Sequence, residues 1–192
     1  MLFATSAVRE AENRDEVVDR IKSLVGYPLI ILSGTEESRC LLDGIKYFLS
    51  PSLLQNYPLK QTVLADLGGG SLEISLPKSE KCLNGNETDF LYSFPIGTLR
   101  LRKMDNPVQE LESNFAENLL QLEQVCSANS DDRSHLILTG GNAKTFACLF
   151  PVFSANLQSK KSSAIQTKNW LSMDWSEFKS IEQILQKESP AE

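Results

Sequence analysis

Two carboxylates flank a run of three glycines and a serine in the segment 63–75. Asp66 ends an apolar strand, and Glu73 lies on the strand that returns after the glycines. Glu73 faces away from its apolar neighbours, because successive side chains of a strand point to opposite faces. Magnesium ions in proteins are typically held by one or two carboxylates together with waters and substrate phosphate oxygens. The spacing of Asp66 and Glu73 therefore permits a magnesium site over the turn.

The glycines between these two acids leave the backbone bare, so that a bulky ligand can approach successive N–H groups. Concave runs of N–H groups bind anions, above all phosphate. The residues that would form such a cradle are Gly68, Gly69, Gly70 and Ser71. A second interpretation is equally favoured by the spacing alone: a tight β-hairpin whose glycines only supply positive φ angles and whose acids are solvated.

A second pair of glycines, Gly140 and Gly141, joins the apolar strand Leu136–Thr139 to a helix. The free N–H groups and the dipole at a helix N-terminus favour anions, which makes this junction a second candidate phosphate site. The alternative, that the two glycines only permit close packing of the helix against the strand, is equally favoured.

The composition excludes several classes of protein. A net charge of −6 argues against general nucleic-acid binding, although a metal ion and local arginines can still accommodate a polyanionic substrate. The sequence has neither an apolar run long enough for a membrane span nor a signal peptide, so we expect a cytoplasmic protein without a membrane partner. Four widely spaced cysteines and a single histidine disfavour a disulfide framework, a zinc site and a Ser–His–Asp triad.

Hydrophobic patterning predicts a strand–helix–strand–helix order over residues 2–49. The continuous apolar run Pro28–Ser33 is typical of a buried parallel strand. An apolar stripe runs along the preceding helix 16–25, and Gly26 is well placed to end that helix. Residues 50–60 are the best linker in the chain.

After this linker the pattern predicts three antiparallel strands, formed by the glycine hairpin and Phe90–Phe94. An amphipathic helix beginning at Pro107, a buried strand Leu136–Thr139 and a helix Ala143–Phe150 follow. We expect one more helix, Trp175–Gln186, and no further strand.

Four segments recur in the order found in one protein family: Ala4–Asn13, Ile31–Arg39, Asp66–Glu73 and Leu138–Ala143. Phe94–Leu101 also lies where that family has its third strand and the basic turn after it. On these motifs the chain resembles the exopolyphosphatase and guanosine pentaphosphate phosphohydrolase family. This family is a branch of the superfamily that contains actin, heat-shock chaperone ATPases and sugar kinases.

The resemblance implies an α/β fold with ribonuclease H-like, actin-type lobes. Residues 1–57 would form a partial first lobe, and residues 58–192 a second lobe whose C-terminal part is incomplete. The family's opening D-x-G-S-N strand has no counterpart in the sequence, so the chain is expected to be a truncated member. An exposed sheet edge in the half-built lobe would favour a homo-oligomer or an edge-paired dimer.

The resemblance also implies hydrolysis of terminal phosphate from inorganic polyphosphate or guanosine pentaphosphate, with Mg²⁺ as cofactor. Glu37 would activate water, Arg9 would contact phosphate, and Asp66 and Glu73 would hold the metal. Without the resemblance, Glu37 reads as a solvated glutamate of a first helical turn and Arg9 as an exposed helix arginine.

Two departures from the family pattern affect phosphate loops: Leu72 replaces the usual Thr, and Asn142 replaces the usual Thr or Ser. The alternative is a non-catalytic fragment that binds phosphate or nucleotide but lacks the family's N-terminal phosphate loop. An ATP-using kinase of the same superfamily is disfavoured, because the S-G-x-E-E-x-R segment belongs to the hydrolase branch.

Overall fold

The computed structural model describes residues 1–48, 58–77, 90–106, 109–110, 112–113, 116–117, 120, 123–124, 135–156, 165–166, 171–173, 176, 178–180 and 183. The chain divides into two compact units, Met1–Gly140 and Gly141–Glu192. The lobe boundary expected near residue 57 is a different division, and it stays a prediction.

The first unit begins with the predicted strand–helix–strand–helix order. Its elements are β1 (Leu2–Ala4), α1 (Ser6–Arg9), α2 (Arg14–Val25), β2 (Leu29–Ile31) and α3 (Gly34–Phe48). β1 and β2 pair in parallel, with Leu2 opposite Leu29. Gly26 ends α2 as predicted: it adopts a left-handed φ of 73°, and its N–H donates to the Lys22 carbonyl at 2.9 Å.

The predicted burial of β2 is wrong, and the apolar stripe of α2 is not buried either. No residue of α2 is buried, and Leu24 at the end of its apolar stripe is 75% exposed. β2 is only partly buried, with Ile30 exposed beside Phe3 on the neighbouring strand. The reason is that β1 and β2 form a sheet of two strands, and a strand is buried on both faces only when other layers cover both.

A four-stranded sheet forms the centre of the first unit, in the order β5-β4-β3-β6. Its strands are β3 (Thr62–Leu67), β4 (Leu72–Leu76), β5 (Phe90–Phe94) and β6 (His135–Thr139), with the short helix α4 (Thr98–Leu101) after β5. β3, β4 and β5 are antiparallel neighbours, which confirms the predicted meander, and β6 is parallel to β3. The start predicted for a helix at Pro107 lies outside the described residues, but the described residues between 109 and 124 are helical.

The two faces of this sheet differ in chemistry. One face carries the apolar core cluster Ala65, Ile74, Leu76 and Phe94. The opposite face is covered by α3, because the Ser38 hydroxyl donates to the Tyr92 carbonyl at 2.7 Å and Ser75 Oγ donates to the Ser38 carbonyl at 3.3 Å. The sheet therefore has a polar row close to the first turn of α3.

The prediction of a fully buried β6 is also wrong. Ile137 is buried, but Leu136 and Leu138 on the other face are 48% and 45% exposed. β6 is an edge strand of the sheet, and the described residues of its unit leave this part of the apolar face open.

The second unit contains most of α5 (Gly140–Asn156), which is longer than predicted and continues through Pro151. Against expectation, two short strands follow, β7 (Ile165–Gln166) and β8 (Leu171–Ser172), which pair antiparallel. The described residues near the predicted last helix are helical, and the rings of Phe146 and Phe178 lie 5.5 Å apart. Among the described helices, none is long and apolar enough to cross a bilayer.

Candidate active site

A row of four polar residues crosses the central sheet. Strand register places Thr139, Asp66, Glu73 and Ser93 directly opposite one another on β6, β3, β4 and β5. Directly paired residues of adjacent strands share one face, so all four side chains lie on the face that α3 covers. The Ser93 hydroxyl donates to Glu73 Oε1 at 3.0 Å. The two carboxylates expected to hold a metal are thus cross-strand neighbours.

Burial and negative charge perturb both carboxylates of this row. Burial raises the pKa of Asp66, and the nearby charge of Glu37 raises it further. The Thr139 hydroxyl lies close enough to Asp66 to lower its pKa in part. However, Thr139 Oγ1 is buried and meets no partner at regular hydrogen-bond geometry among the described residues. Thr139 is thus the nearest polar neighbour of Asp66 on β6, directly across the strand register.

Glu73 is only 3% exposed, and burial raises its pKa. Hydrogen bonds from Ser71 and Ser93 lower the pKa of Glu73 in part, while the charges of Glu37 and Asp66 raise it. Three carboxylates from different elements are therefore close enough to repel one another. A cation bound beside Asp66 and Glu73 would relieve that repulsion.

The first turn of α3 positions Glu37. Ser33 and Glu36 form a reciprocal capping box: Ser33 N–H and Oγ donate to Glu36 Oε2 at 2.7 and 2.8 Å, and Glu36 N–H donates to Ser33 Oγ at 3.2 Å. The Glu37 N–H donates to the Ser33 carbonyl at 2.9 Å, which continues the helix from this cap. The cap uses the Glu36 side chain on the backbone and leaves that of Glu37 free of it.

Arg9, at the end of α1, contacts Glu37 directly. Its Nη1 donates to Glu37 Oε2 at 3.1 Å and to the Leu32 carbonyl at 2.7 Å. Both side chains of the ion pair are about one-fifth exposed, at 21% and 22%. The guanidinium therefore holds one carboxylate oxygen of Glu37 and remains accessible to a ligand.

Residues 68–71, which we call the glycine loop, form the tight turn between β3 and β4. The Gly68 N–H donates to the Ser71 carbonyl at 2.9 Å and closes this turn. In the described part of the chain, the N–H groups of Gly69, Gly70 and Ser71 have no hydrogen-bond partner. These three N–H groups are therefore the free donors of the loop.

Close packing, and not backbone conformation, requires glycine in this loop. Among the described glycines, only Gly26 and Gly140 have a positive φ, so the interpretation that the loop glycines supply positive φ angles is wrong. A Cβ on Gly70 would overlap the Ser6 side chain, and one on Gly69 would lie 3.2 Å from Leu99 Cδ1.

Gly140 lies against the Asp66 carboxylate, and a Cβ there would overlap Asp66 Oδ1. Its φ of 84° is also one that side-chain-bearing residues rarely adopt. Gly141 is the first residue of the second unit, and its phosphate-binding role stays a prediction.

An open cleft of about 270 Å³ lies beside these groups, lined by Arg9, Glu10, Gly34, Thr35, Ser71, Ser93 and Pro95. Sequence reasoning singled out Arg9 and Ser71 but missed Ser93, Thr139 and Glu10. Ser93 carried a signal, because it is the polar residue of an otherwise apolar strand. Glu10, which directly follows α1, carried no such signal.

Residues 1–187 match the profile of the Ppx/GppA phosphatase family. The chain belongs to this family. The Ppx/GppA chain is 37% identical over 103 residues to exopolyphosphatase 1 of Mycobacterium leprae and 36% identical over 103 residues to that of Mycobacterium tuberculosis. The matches cover 54% of this chain but only 27% and 26% of the two relatives. The chain thus spans about a quarter of the length of the curated relatives that it matches.

Solved structures show the same fold as this Ppx/GppA chain. An exopolyphosphatase from Cytophaga hutchinsonii superposes with a TM-score of 0.65 at 22% identity, covering 95% of this chain and 55% of that one. A Ppx/GppA family member of Aquifex aeolicus superposes with a TM-score of 0.53 at 23% identity, covering 96% and 53%. The expected mixed α/β fold, similar to Ppx/GppA structures, is therefore confirmed.

Proposed function

We propose that this chain carries the catalytic centre of a metal-dependent phosphoanhydride hydrolase that releases terminal phosphate from inorganic polyphosphate or guanosine pentaphosphate. The observation that carries the proposal is the convergence of Glu37, Asp66 and Glu73 beside the glycine loop. Phosphoryl transfer needs mainly positioning and charge neutralisation, and these groups can supply both.

Glu37 is the proposed general base. Arg9 engages its Oε2 at 3.1 Å, which leaves Oε1 to accept a proton from the attacking water. Arg9 is itself anchored by the Leu32 carbonyl, so it can fix the Glu37 side chain while its exposed edge neutralises a phosphate oxygen.

Asp66 and Glu73 are the proposed ligands of Mg²⁺. Their burial and mutual repulsion fit a site that binds a cation. No group of three His, Cys, Asp or Glu side chains in the described part of the chain could hold an ion by itself. Waters and phosphate oxygens would complete the coordination, as is usual for Mg²⁺, and the bound ion would neutralise charge on the phosphoanhydride.

The glycine loop is the proposed phosphate cradle, with the Gly69, Gly70 and Ser71 N–H groups as donors. Gly140 and Gly141 would form a second phosphate contact. A non-catalytic phosphate- or nucleotide-binding module is the second candidate, because the chain spans only about a quarter of its curated relatives. Cytoplasmic location, self-association and the absence of a nucleic-acid partner remain predictions.

The decisive experiment compares two adjacent substitutions. Glu37→Gln should abolish Mg²⁺-dependent phosphate release from long-chain polyphosphate but preserve binding measured by calorimetry, because the base is lost and the shape is kept. Glu36→Gln is the matched control and should retain turnover, because glutamine also completes a capping box. Unchanged turnover in Glu37→Gln would exclude the base assignment. Binding without release by the unaltered chain would favour the second candidate.

A further inference from the structure

All three carbonyl groups of the glycines at 68–70 accept hydrogen bonds from the start of α4. In sequence order, the donors are Thr98 N–H at 3.0 Å, Leu99 N–H at 2.9 Å and Arg100 Nε at 2.7 Å. The third donor is a side chain because the Arg100 N–H is already used within α4, where it donates to the Gly97 carbonyl at 2.9 Å.

These bonds also fix where the N–H groups of the loop point. In a trans peptide unit the C=O of one residue and the N–H of the next point in opposite directions. The described peptide bonds are all trans. Because the three carbonyls point towards α4, the N–H groups of Gly69, Gly70 and Ser71 point away from it. The start of α4 thus aligns three consecutive donors on one side of the loop.

Arg100 is held in turn by Glu10. Its Nη2 pairs with Glu10 Oε2, and the Ser6 hydroxyl donates to Glu10 Oε1 at 3.1 Å. Ser6 is buried and lies against Gly70, so the chain of contacts returns to the loop. A guanidinium can serve both acceptors, because its donors stand in a rigid planar fork, whereas a lysine is a single point of charge.

We propose that Arg100, oriented by Glu10, is a positioning residue that turns the Gly70–Ser71 peptide so that its N–H faces a bound phosphate. The inference rests on the proposed function and deepens it, because it names the residues that orient the N–H groups of the phosphate cradle. Arg100 acts through the loop backbone and not as a phosphate ligand. Its contribution to binding therefore depends on the shape of its side chain more than on its charge.

Two substitutions in the full chain test this role, with binding of inorganic tripolyphosphate in Mg²⁺ measured by calorimetry. Arg100→Lys keeps the charge but loses the fork, and we expect Kd to rise about tenfold, as for the loss of one hydrogen bond to a charged group. Glu10→Ala removes a negative charge near a polyanion, so Coulomb's law alone predicts tighter binding. The positioning role predicts weaker binding, and the two explanations differ in sign.

The matched controls are Arg102→Lys and Glu12→Ala, which alter exposed charges of the same kind two residues away. Both should bind tripolyphosphate like the unaltered chain. Residual dipolar couplings of the ligand-free protein supply a readout that needs no ligand. The Ser71 N–H vector should reorient in Arg100→Lys and in Glu10→Ala but not in the controls.

Unaltered binding in Arg100→Lys, tighter binding in Glu10→Ala, or an unchanged Ser71 N–H vector in both variants would overturn the positioning role. If the unaltered chain binds no tripolyphosphate, the proposed function fails, whereas the dipolar couplings still decide whether Arg100 orients the loop. Far-UV circular dichroism and thermal unfolding separate either result from a loss of fold. Should Arg100→Lys not fold, Glu10→Ala tests the same contact with Arg100 in place.

Discussion

Two glycines of α3 should respond in opposite directions to the same substitution. A Cβ on Gly34 would overlap Ser93 Cβ and lie 2.5 Å from Ser93 Oγ, whereas a Cβ on Gly44 would meet nothing within 4 Å. Alanine at residue 34 must therefore displace Ser93 and weaken its hydrogen bond to Glu73. Alanine at residue 44 only replaces the most flexible residue of a helix interior.

The magnitudes follow from the contacts. Overpacking costs about 1–3 kcal/mol, and loss of a hydrogen bond to a charged group costs about 1.5–3 kcal/mol. Partial relaxation and a helix-propensity gain of about 0.5–1 kcal/mol offset part of this cost. We expect Gly34→Ala to lower the free energy of unfolding by about 2 kcal/mol, and Gly44→Ala to raise it by about 0.4–1 kcal/mol.

Urea unfolding of the two variants and the unaltered chain measures both values. The double variant Gly34→Ala/Ser93→Gly removes the overlap, so its loss of stability should be smaller than the sum of the two single losses. If both alanine variants are stabilised, α3 does not approach β5 as closely as described. That result would also contradict the placement of Glu37 close to Asp66 and Glu73, because Glu37 lies in the first turn of α3.

Two further predictions concern charge. The hydrogen bond from Arg100 holds the pKa of Glu10 below its ordinary value. Ionised Glu10 therefore stabilises the fold at any pH above the pKa that Glu10 has in the unfolded chain. This stabilisation is lost as the pH falls through the lower pKa that Glu10 has in the folded chain. At neutral pH the free energy of unfolding should therefore be lower for Glu10→Gln than for the unaltered chain, by less than about 1 kcal/mol because the ion pair is partly exposed. In acid the two free energies should converge. A difference that does not depend on pH would contradict the ion pair. Mg²⁺ should raise the melting temperature of the unaltered chain more than that of Asp66→Asn, because an ion that binds only the folded state stabilises it; equal shifts would remove Asp66 from the metal site.

The local parts of the site were readable from the sequence. Asp66 and Glu73 flank a hairpin whose two strands alternate, so their shared face follows from a period of two. The capping box at Ser33 and Glu36 is likewise a local pattern, and it fixes where α3 begins. These features depend on neighbours within a few residues, which is the range over which sequence patterns are informative.

The rest of the site depends on tertiary structure. Ser93 enters the polar row only through the register between β4 and β5, and Thr139 only through a parallel pairing across more than 60 residues. Arg100 meets Glu10 across 90 residues, and no local periodicity encodes such a contact. The exposure of Leu138 depends on which layers cover the sheet, which hydrophobicity alone does not determine.

The two adjacent glutamates at the start of α3 have different roles although their side chains are chemically identical. Each residue of an α-helix advances about 100° around the axis, so consecutive side chains leave on different sides. Glu36 turns back to seal the helix end, and Glu37 faces Arg9. Glu37 therefore cannot replace Glu36, nor Glu36 replace Glu37. An exchange of their roles would require the start of the helix to shift by one residue, which would also break the hydrogen bonds of the Ser33 cap.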